Sequence, residues 1–261
     1  MKKNISIIFL FITLTFISFI NVIDINLFLS TLSSKFNNIS MQDIVIYMLY
    51  GLTSSSRVNL IDIIRFSIPF ILCIGFINSY LSDILESNTI YLNIIRYKSY
   101  SSWIKTYLFK MTLLIILFYT YYYINLIIIS SIYTKNVSGF TDTFYYLNRY
   151  MTNTNFFQLL IYQYFLSIFS TILLTLINLL LSLVLKNINK SFIVVIVTIL
   201  ILTALGKYDI INPLMLSKHY TINYNFNINP ISTLTFHLLF SFIIYISLVR
   251  CIKLLVRRTG L

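Results

Sequence analysis

The histidine, cysteine and carboxylate side chains of this 261-residue chain are few and scattered: His219 and His237, Cys73 and Cys251, and seven acidic residues, of which Glu86 is the only glutamate. A membrane-embedded zinc protease needs H-E-x-x-H, two imidazoles one helical turn apart with a glutamate to activate water. Neither histidine has a glutamate near it. The cysteines lack the paired spacing of a zinc site or a disulfide framework and lie in apolar runs, so they read as small buried hydrophobes. A phosphate-binding loop needs glycine amides followed by Lys and Ser or Thr, and Gly206-Lys207 lacks the upstream glycine. These absences predict no catalytic residue, no metal site and no cofactor in the chain, so ATP-driven work would need ATP and magnesium in a separate subunit. His237 stands in an apolar stretch and has two readings, a proton relay or a side chain bonded to a neighbouring helix. No aspartate lies mid-run to couple with it, since Asp62 and Asp83 sit at the two ends of their apolar stretch, which disfavours ion-coupled transport.

Charge gathers instead in "ILESNTIYLNIIRYKSYSSWIKTYLFK", residues 84–110, which holds Glu86, the single Trp103 and the basic residues Arg96, Lys98, Lys105 and Lys110. Ser87 or Asn88 can cap a short helix to about Lys98, with Ile90, Tyr91, Ile94 and Ile95 on one face. Ser101 or Ser102 then restarts a helix, with Trp103 at headgroup depth. Such a segment is either a surface helix tuned for anionic lipid or a docking helix for a cytoplasmic partner.

A second group is aromatic and hydroxylic. "YTYYYINL" and "IYQYFLSIF" bring Tyr119, Tyr121, Tyr122, Tyr123, Tyr162 and Tyr164 into two long apolar runs, where they either line a path for peptide-like or lipid-like cargo or form an aromatic belt and helix contacts. In the second run Ser167, Thr171, Thr175 and Asn178 recur on one helical face. That face is expected to be buried against another subunit or the cargo path.

The elements that must position these groups are membrane helices. Hydrophobic residues make up 58% of the chain and charged ones 10%, more apolar surface than one globular core can hide. A span takes about 20 mostly apolar residues, and six segments qualify, at about 5–23, 63–83, 109–133, 157–185, 190–206 and 231–253. The fifth is the shortest. The chain has one alanine, Ala204, and no small-residue cleavage motif, so the first is read as an uncleaved span. With the N-terminus inside, Lys2, Lys3, Arg96, Lys98, Lys105, Lys110, Lys186, Lys190, Arg250, Lys253, Arg257 and Arg258 are cytoplasmic, and only Lys35, Arg57, Arg65, Lys135, Arg149, Lys207 and Lys218 are outside. This bias predicts both termini in the cytoplasm. The outer loops 24–62 and 207–230 carry the apolar patches "DIVIYMLYGL" and "YDIINPLML", each an interfacial or re-entrant helix or a solvated loop. No linker, repeat or soluble domain interrupts residues 1–261, which form one all-α polytopic membrane domain. Heavy use of Ile, Asn, Tyr and Lys suggests an AT-rich genome, such as that of a low-GC Gram-positive bacterium.

A first helix, a long outer loop and a second span running into "YLSDILESNTIYLNIIRYKSYSSWIKTYLFK" resemble the permease subunit of ABC-2-type transporters, in layout over nearly the whole chain and in local motif over about 25 residues. The resemblance implies that the segment between spans two and three is a coupling helix seated on a cytoplasmic ABC ATPase, with Glu86, Tyr91, Arg96, Lys98 and Ser99 as contacts and Trp103 as pivot. It also implies a second copy or sister permease, and a cargo path drawing on Tyr119, Tyr122, Tyr123, Tyr162, Tyr164, Ser167, Thr171 and Asn178. Members of this type often export antimicrobial peptides or confer immunity to them, so the expected activity is ATP-dependent export of an amphipathic molecule at the cell membrane. Peptide, lipid-like cargo and membrane lipids are the expected partners, and nucleic acid is not. The rival reading is a non-transporting immunity or sensor protein that binds peptide or lipid through its outer loops.

Overall fold

The computed structural model describes residues 2–33, 39–49, 60–85, 100–134, 139, 141, 155–185, 187–205 and 230–258. Among these the chain is all-helical: α1 (Lys2–Ser33), α2 (Met41–Leu49), α3 (Leu60–Leu85), α4 (Tyr100–Tyr133), α5 (Phe156–Leu185), α6 (Ile188–Leu205) and α7 (Pro230–Arg258). Each of the six predicted apolar segments falls within one of the long helices, apart from Gly206 at the end of the fifth. Two stretches, Lys105–Tyr133 and Phe156–Leu185, are long and apolar enough to cross a membrane, and four shorter apolar helical stretches accompany them, Phe9–Ile25, Ser67–Ser79, Ile188–Ile201 and Thr235–Cys251.

Several boundaries differ from the sequence reading for local reasons. α1 continues ten residues past the expected end, carrying Asp24 on an exposed position. α4 begins at Tyr100 and runs without a break through Lys105 and Lys110, so the expected restart and the third span are one helix. α6 starts at Ile188 because the side-chain oxygen of Asn187 accepts the Lys190 amide at 3.0 Å and caps the helix. That start lengthens the short fifth segment to 18 residues, about 27 Å.

α5 lies at the centre. α4, α3, α6, α7 and α2 all pack on it, while α1 lies against α4 and α2. A single core runs through α1, α2, α4 and α5, and a smaller one joins Phe70 and Ile74 of α3 to Leu174 of α5 and to Val195 and Ile199 of α6. The close approach of α3 to α6 is made at Gly75, where a Cβ would stand 3.1 Å from the Phe192 ring. Large apolar side chains remain uncovered around the bundle, with Phe109 70% and Ile132 74% exposed on α4 and a run from Leu238 to Phe240 exposed on α7. An uncovered apolar perimeter of this extent suits hydrocarbon and not water. Hydroxyls on that perimeter are hidden within their own helices, as where Thr198 of α6 donates to the Val194 carbonyl at 2.8 Å.

α2 takes in the first seven residues of the patch "DIVIYMLYGL", Asp43–Leu49, and Ile44, Val45 and Ile46 are buried. Its start is a reciprocal cap: the Ser40 amide donates to Asp43 Oδ2 at 2.9 Å and the Asp43 amide donates to Ser40 Oγ at 3.2 Å. Asp43 is only 2% exposed and also accepts the Thr141 hydroxyl at 2.7 Å and the Thr141 amide at 3.2 Å. Gly139, at φ +89°, gives the connection after α4 the left-handed turn that precedes Thr141. One carboxylate thus fastens α2 to the α4–α5 connection. Asp43→Ala should lower stability by about 1–3 kcal/mol, because one buried donor, the Ser40 amide, and two part-buried ones on Thr141 lose their acceptor. Thermal unfolding in detergent checks this, and Asp43→Asn, which keeps one acceptor oxygen, should fall between the two.

Candidate functional site

The polar face of α5 is buried, and the side chains that cover it belong to this chain. Ser167, Thr171, Thr175 and Asn178 are all buried: α4 supplies partners to Ser167 and Thr171, α3 and α6 to Asn178, and Thr175 donates to the Thr171 carbonyl of its own helix, where another subunit or a cargo path was expected. Tyr119 of α4 lies 2.7 Å from Thr171 Oγ1, and Tyr123 lies 3.2 Å from Ser167 Oγ. As the α4 number rises by four the α5 number falls by four, so the two helices are antiparallel. Thr120 of α4 meets the Tyr164 hydroxyl at 2.8 Å on the same seam.

The proton direction in these pairs follows from a second bond. Thr171 Oγ1 donates to the Ser167 carbonyl at 2.8 Å, and Thr120 Oγ1 donates to the Ile116 carbonyl at 2.8 Å. A threonine hydroxyl has one proton, so once that proton is committed to its own helix the oxygen can only accept. Tyr119 is therefore the donor to Thr171, and Tyr164 the donor to Thr120. Thr15 of α1 repeats the arrangement, donating to the Phe11 carbonyl at 2.9 Å while accepting the Tyr121 phenol at 2.8 Å. Edge-on ring contacts link the tyrosines, with Tyr119 to Tyr123 at 6.5 Å and Tyr123 to Tyr164 at 5.5 Å.

Further along α5, away from α2, Asn178 is a three-helix joint. Its Nδ2 donates to Asn78 Oδ1 of α3 at 3.0 Å, and its Oδ1 lies 2.9 Å from Ser191 Oγ of α6, whose one proton is shared between that oxygen and the Ile188 carbonyl at 2.8 Å. Ser170 meets His237 Nε2 of α7 at 3.0 Å, both fully buried. Between the two readings of His237, its geometry is the bond to a neighbouring helix. A serine beside an imidazole also has the ingredients of a nucleophile and its base, but Ser170 lies inside the continuous helix Phe156–Leu185. Its neighbouring amides are committed to the helical ladder and offer no oxyanion hole.

Gln163 stands apart. It is 0% exposed, one turn from Ser167 on the same face, and neither its Oε1 nor its Nε2 has a hydrogen-bond partner among the described residues. The same holds for Ser130 Oγ of α4. Each buried unsatisfied polar group costs about 1–3 kcal/mol.

Of the predicted cargo-path residues, Tyr119, Tyr123, Tyr164, Ser167 and Thr171 are thus brought together along one seam, with Asn178 farther along it. Tyr122 is buried with its ring against Tyr123, and Tyr162 is half-buried beside that seam. Of the predicted coupling residues, Glu86, Tyr91, Arg96, Lys98 and Ser99 lie outside the described residues, and Trp103 is placed in α4 by its backbone alone. Sequence reasoning missed Thr15, Thr120, Asn78, Ser191 and Gln163. Gln163, a lone carboxamide within "IYQYFL", carried a usable signal as a polar group in a long apolar run.

Comparison of the chain with protein-family models, with curated proteins and with solved structures returns no match.

The donor assignment predicts unequal effects at one contact. Tyr119→Phe removes a donor from a threonine that keeps its carbonyl bond, and should cost about 1 kcal/mol or less. Thr171→Val strands the Tyr119 hydroxyl in the core and should cost more, about 1–3 kcal/mol, by thermal unfolding in detergent. At the asparagine joint, Asn78→Leu and Asn178→Leu should each destabilise, and the double variant should destabilise by less than their sum. A double-mutant cycle should give a coupling of about 0.6 kcal/mol, the average for such contacts in membrane proteins, and no more than about 1.7 kcal/mol.

Proposed function

We propose that this protein is the membrane-spanning permease subunit of an ATP-binding cassette exporter of the ABC-2 type, with six transmembrane helices formed by α1, α3, α4, α5, α6 and α7. Both termini face the cytoplasm of a low-GC Gram-positive cell, and α2 lies at the outer face. Lys105 and Lys110 of α4 and Lys190 of α6 support this orientation, because all three are exposed and stand at the end of the bundle away from α2. A separate ATPase supplies ATP hydrolysis and docks on the stretch 86–99 between α3 and α4, where the charge of Glu86, Arg96 and Lys98 gathers next to Trp103. A second copy or a sister permease completes the unit. The cargo is an amphipathic molecule such as an antimicrobial peptide or a lipid-like compound.

The observation that carries this reading is the pairing of an uncovered apolar perimeter with a hydroxyl-lined and amide-lined seam running along α5 from Gln163 to Asn178, about 22 Å of helix. A protein that only anchors itself in lipid does not need polar groups buried along most of a span, each of which must find a partner. The buried α2 favours a second reading, a non-transporting immunity or sensor protein, since it shows that the connection after α1 holds a folded, packed element.

Pull-down in mild detergent from the native host, followed by mass spectrometry, separates the two. An ATPase bearing a Walker motif should accompany the wild type and be lost from the double variant Glu86→Lys/Arg96→Glu, with export lost alongside. Absence of any ATPase from both samples would remove the exporter and leave the binding protein.

A further inference from the structure

We infer that the buried carboxamide of Gln163, with Ser130 within one turn of its level, forms a binding point for a backbone peptide group of the cargo. This deepens the exporter reading and rests on its peptide-cargo form. Among the described residues, both ends of the Gln163 amide are unpartnered in a fully buried position, as is the Ser130 hydroxyl. The antiparallel register brings the two within one turn of each other: Tyr123 meets Ser167, so Gln163, one turn towards α2, stands level with Ile127, and Ser130 lies one turn further towards α2 on α4. A carboxamide offers one acceptor and a donor pair, the complement of a peptide unit's N–H and C=O. A lipid tail has neither group, so the pairing selects peptide over lipid-like cargo.

The surroundings suit that occupant. Tyr123 and Tyr164, with rings 5.5 Å apart, flank the position one turn away and one residue away, and present apolar faces to side chains. Access lies on the α2 side. Among the described residues, the side-chain hydrogen bonds between α4 and α5 end at Tyr123–Ser167 and Thr120–Tyr164. Beyond them the contacts are apolar, through Leu126, Ile129, Phe156 and Leu159. Apolar contacts carry no directional bond that must be broken for helices to part. α2, which packs on both α4 and α5, closes this end and is itself fastened through Asp43. In this arrangement α2 is the cover of the site.

The test uses the full-length protein in detergent and a labelled 20-residue amphipathic Leu/Lys peptide, beside the same peptide N-methylated at alternate backbone amides, with binding to protein-free micelles subtracted. Wild type should bind the unmethylated peptide about tenfold more tightly, the effect of one buried hydrogen-bond pair. Gln163→Leu should lose that preference and unfold at a higher temperature, since it removes an unpaired buried amide. Gln163→Met serves if the leucine variant does not reach the membrane. Equal binding of the two peptides by wild type overturns the proposal. So does a leucine variant that keeps the preference and unfolds at a lower temperature, the result for a glutamine bonded only to a fixed internal water. The pull-down described above is read separately. Backbone preference without an ATPase keeps the peptide site and removes the exporter, whereas an ATPase without the preference removes the site alone.

Discussion

Each hydroxyl has one proton to place, and in a helix contact the choice of acceptor decides what the facing group must be. That constraint organises the helix contacts. Thr15, Thr120 and Thr171 each give the proton to a carbonyl four residues back on their own helix, which leaves an oxygen able only to accept. The opposing group must then be a donor, and in all three cases it is a tyrosine, Tyr121, Tyr164 and Tyr119 in turn. The joint recurs between α1 and α4 and, in both directions, between α4 and α5. Because a phenol is long, the joint holds two helices together while keeping their backbones apart.

This spacing matters because the chain has few small residues, five glycines and one alanine, with which to bring helices close. Gly75 gives one tight crossing, against the Phe192 ring. Elsewhere a bulky ring fills the gap and its hydroxyl makes the bond. The 21 tyrosines are thereby explained in part without an interfacial belt: Tyr119 and Tyr123 are buried, and their hydroxyls bond within the bundle. Asparagine plays the matching part at the other end of α5, where Asn178 uses its donor towards α3 and its acceptor towards α6.

Periodicity made much of this legible from sequence. Apolar runs located the long helices to within a few residues, save at the far ends of α1 and α7 and the start of α4, and the recurrence of Ser167, Thr171, Thr175 and Asn178 marked a buried face. What covers that face was not legible, because the partners are remote in the chain: Tyr121 lies 106 residues from Thr15, and Asn178 lies 100 residues from Asn78. A hydropathy pattern says that a face is inside and does not say which helix it meets. The length of α1 was hidden for a related reason. Asp24 reads as the end of a span, yet a carboxylate at an exposed position does not stop a helix. α2 was half-legible, since Ser40 and Asp43 have the spacing of a capping box, while the role of Asp43 towards Thr141 depends on a contact 98 residues away.

The seam is unequal along its length. Through its middle and towards Asn178, α5 is tied to α3, α4, α6 and α7 by hydrogen bonds, and separating those helices would strip buried donors and acceptors of their partners. Towards α2 the α4–α5 contacts are apolar and hold no directional bond that has to break. A bundle built this way resists opening near Asn178 and yields near Gln163. The yielding end is also where the only carboxylate of α2 fastens a short helix across the gap, through an acceptor set that water would satisfy equally well if α2 lifted. If α2 is the cover proposed above, the polar groups that hold it would have water as an alternative partner when it lifts, while those that hold the body of the bundle would not.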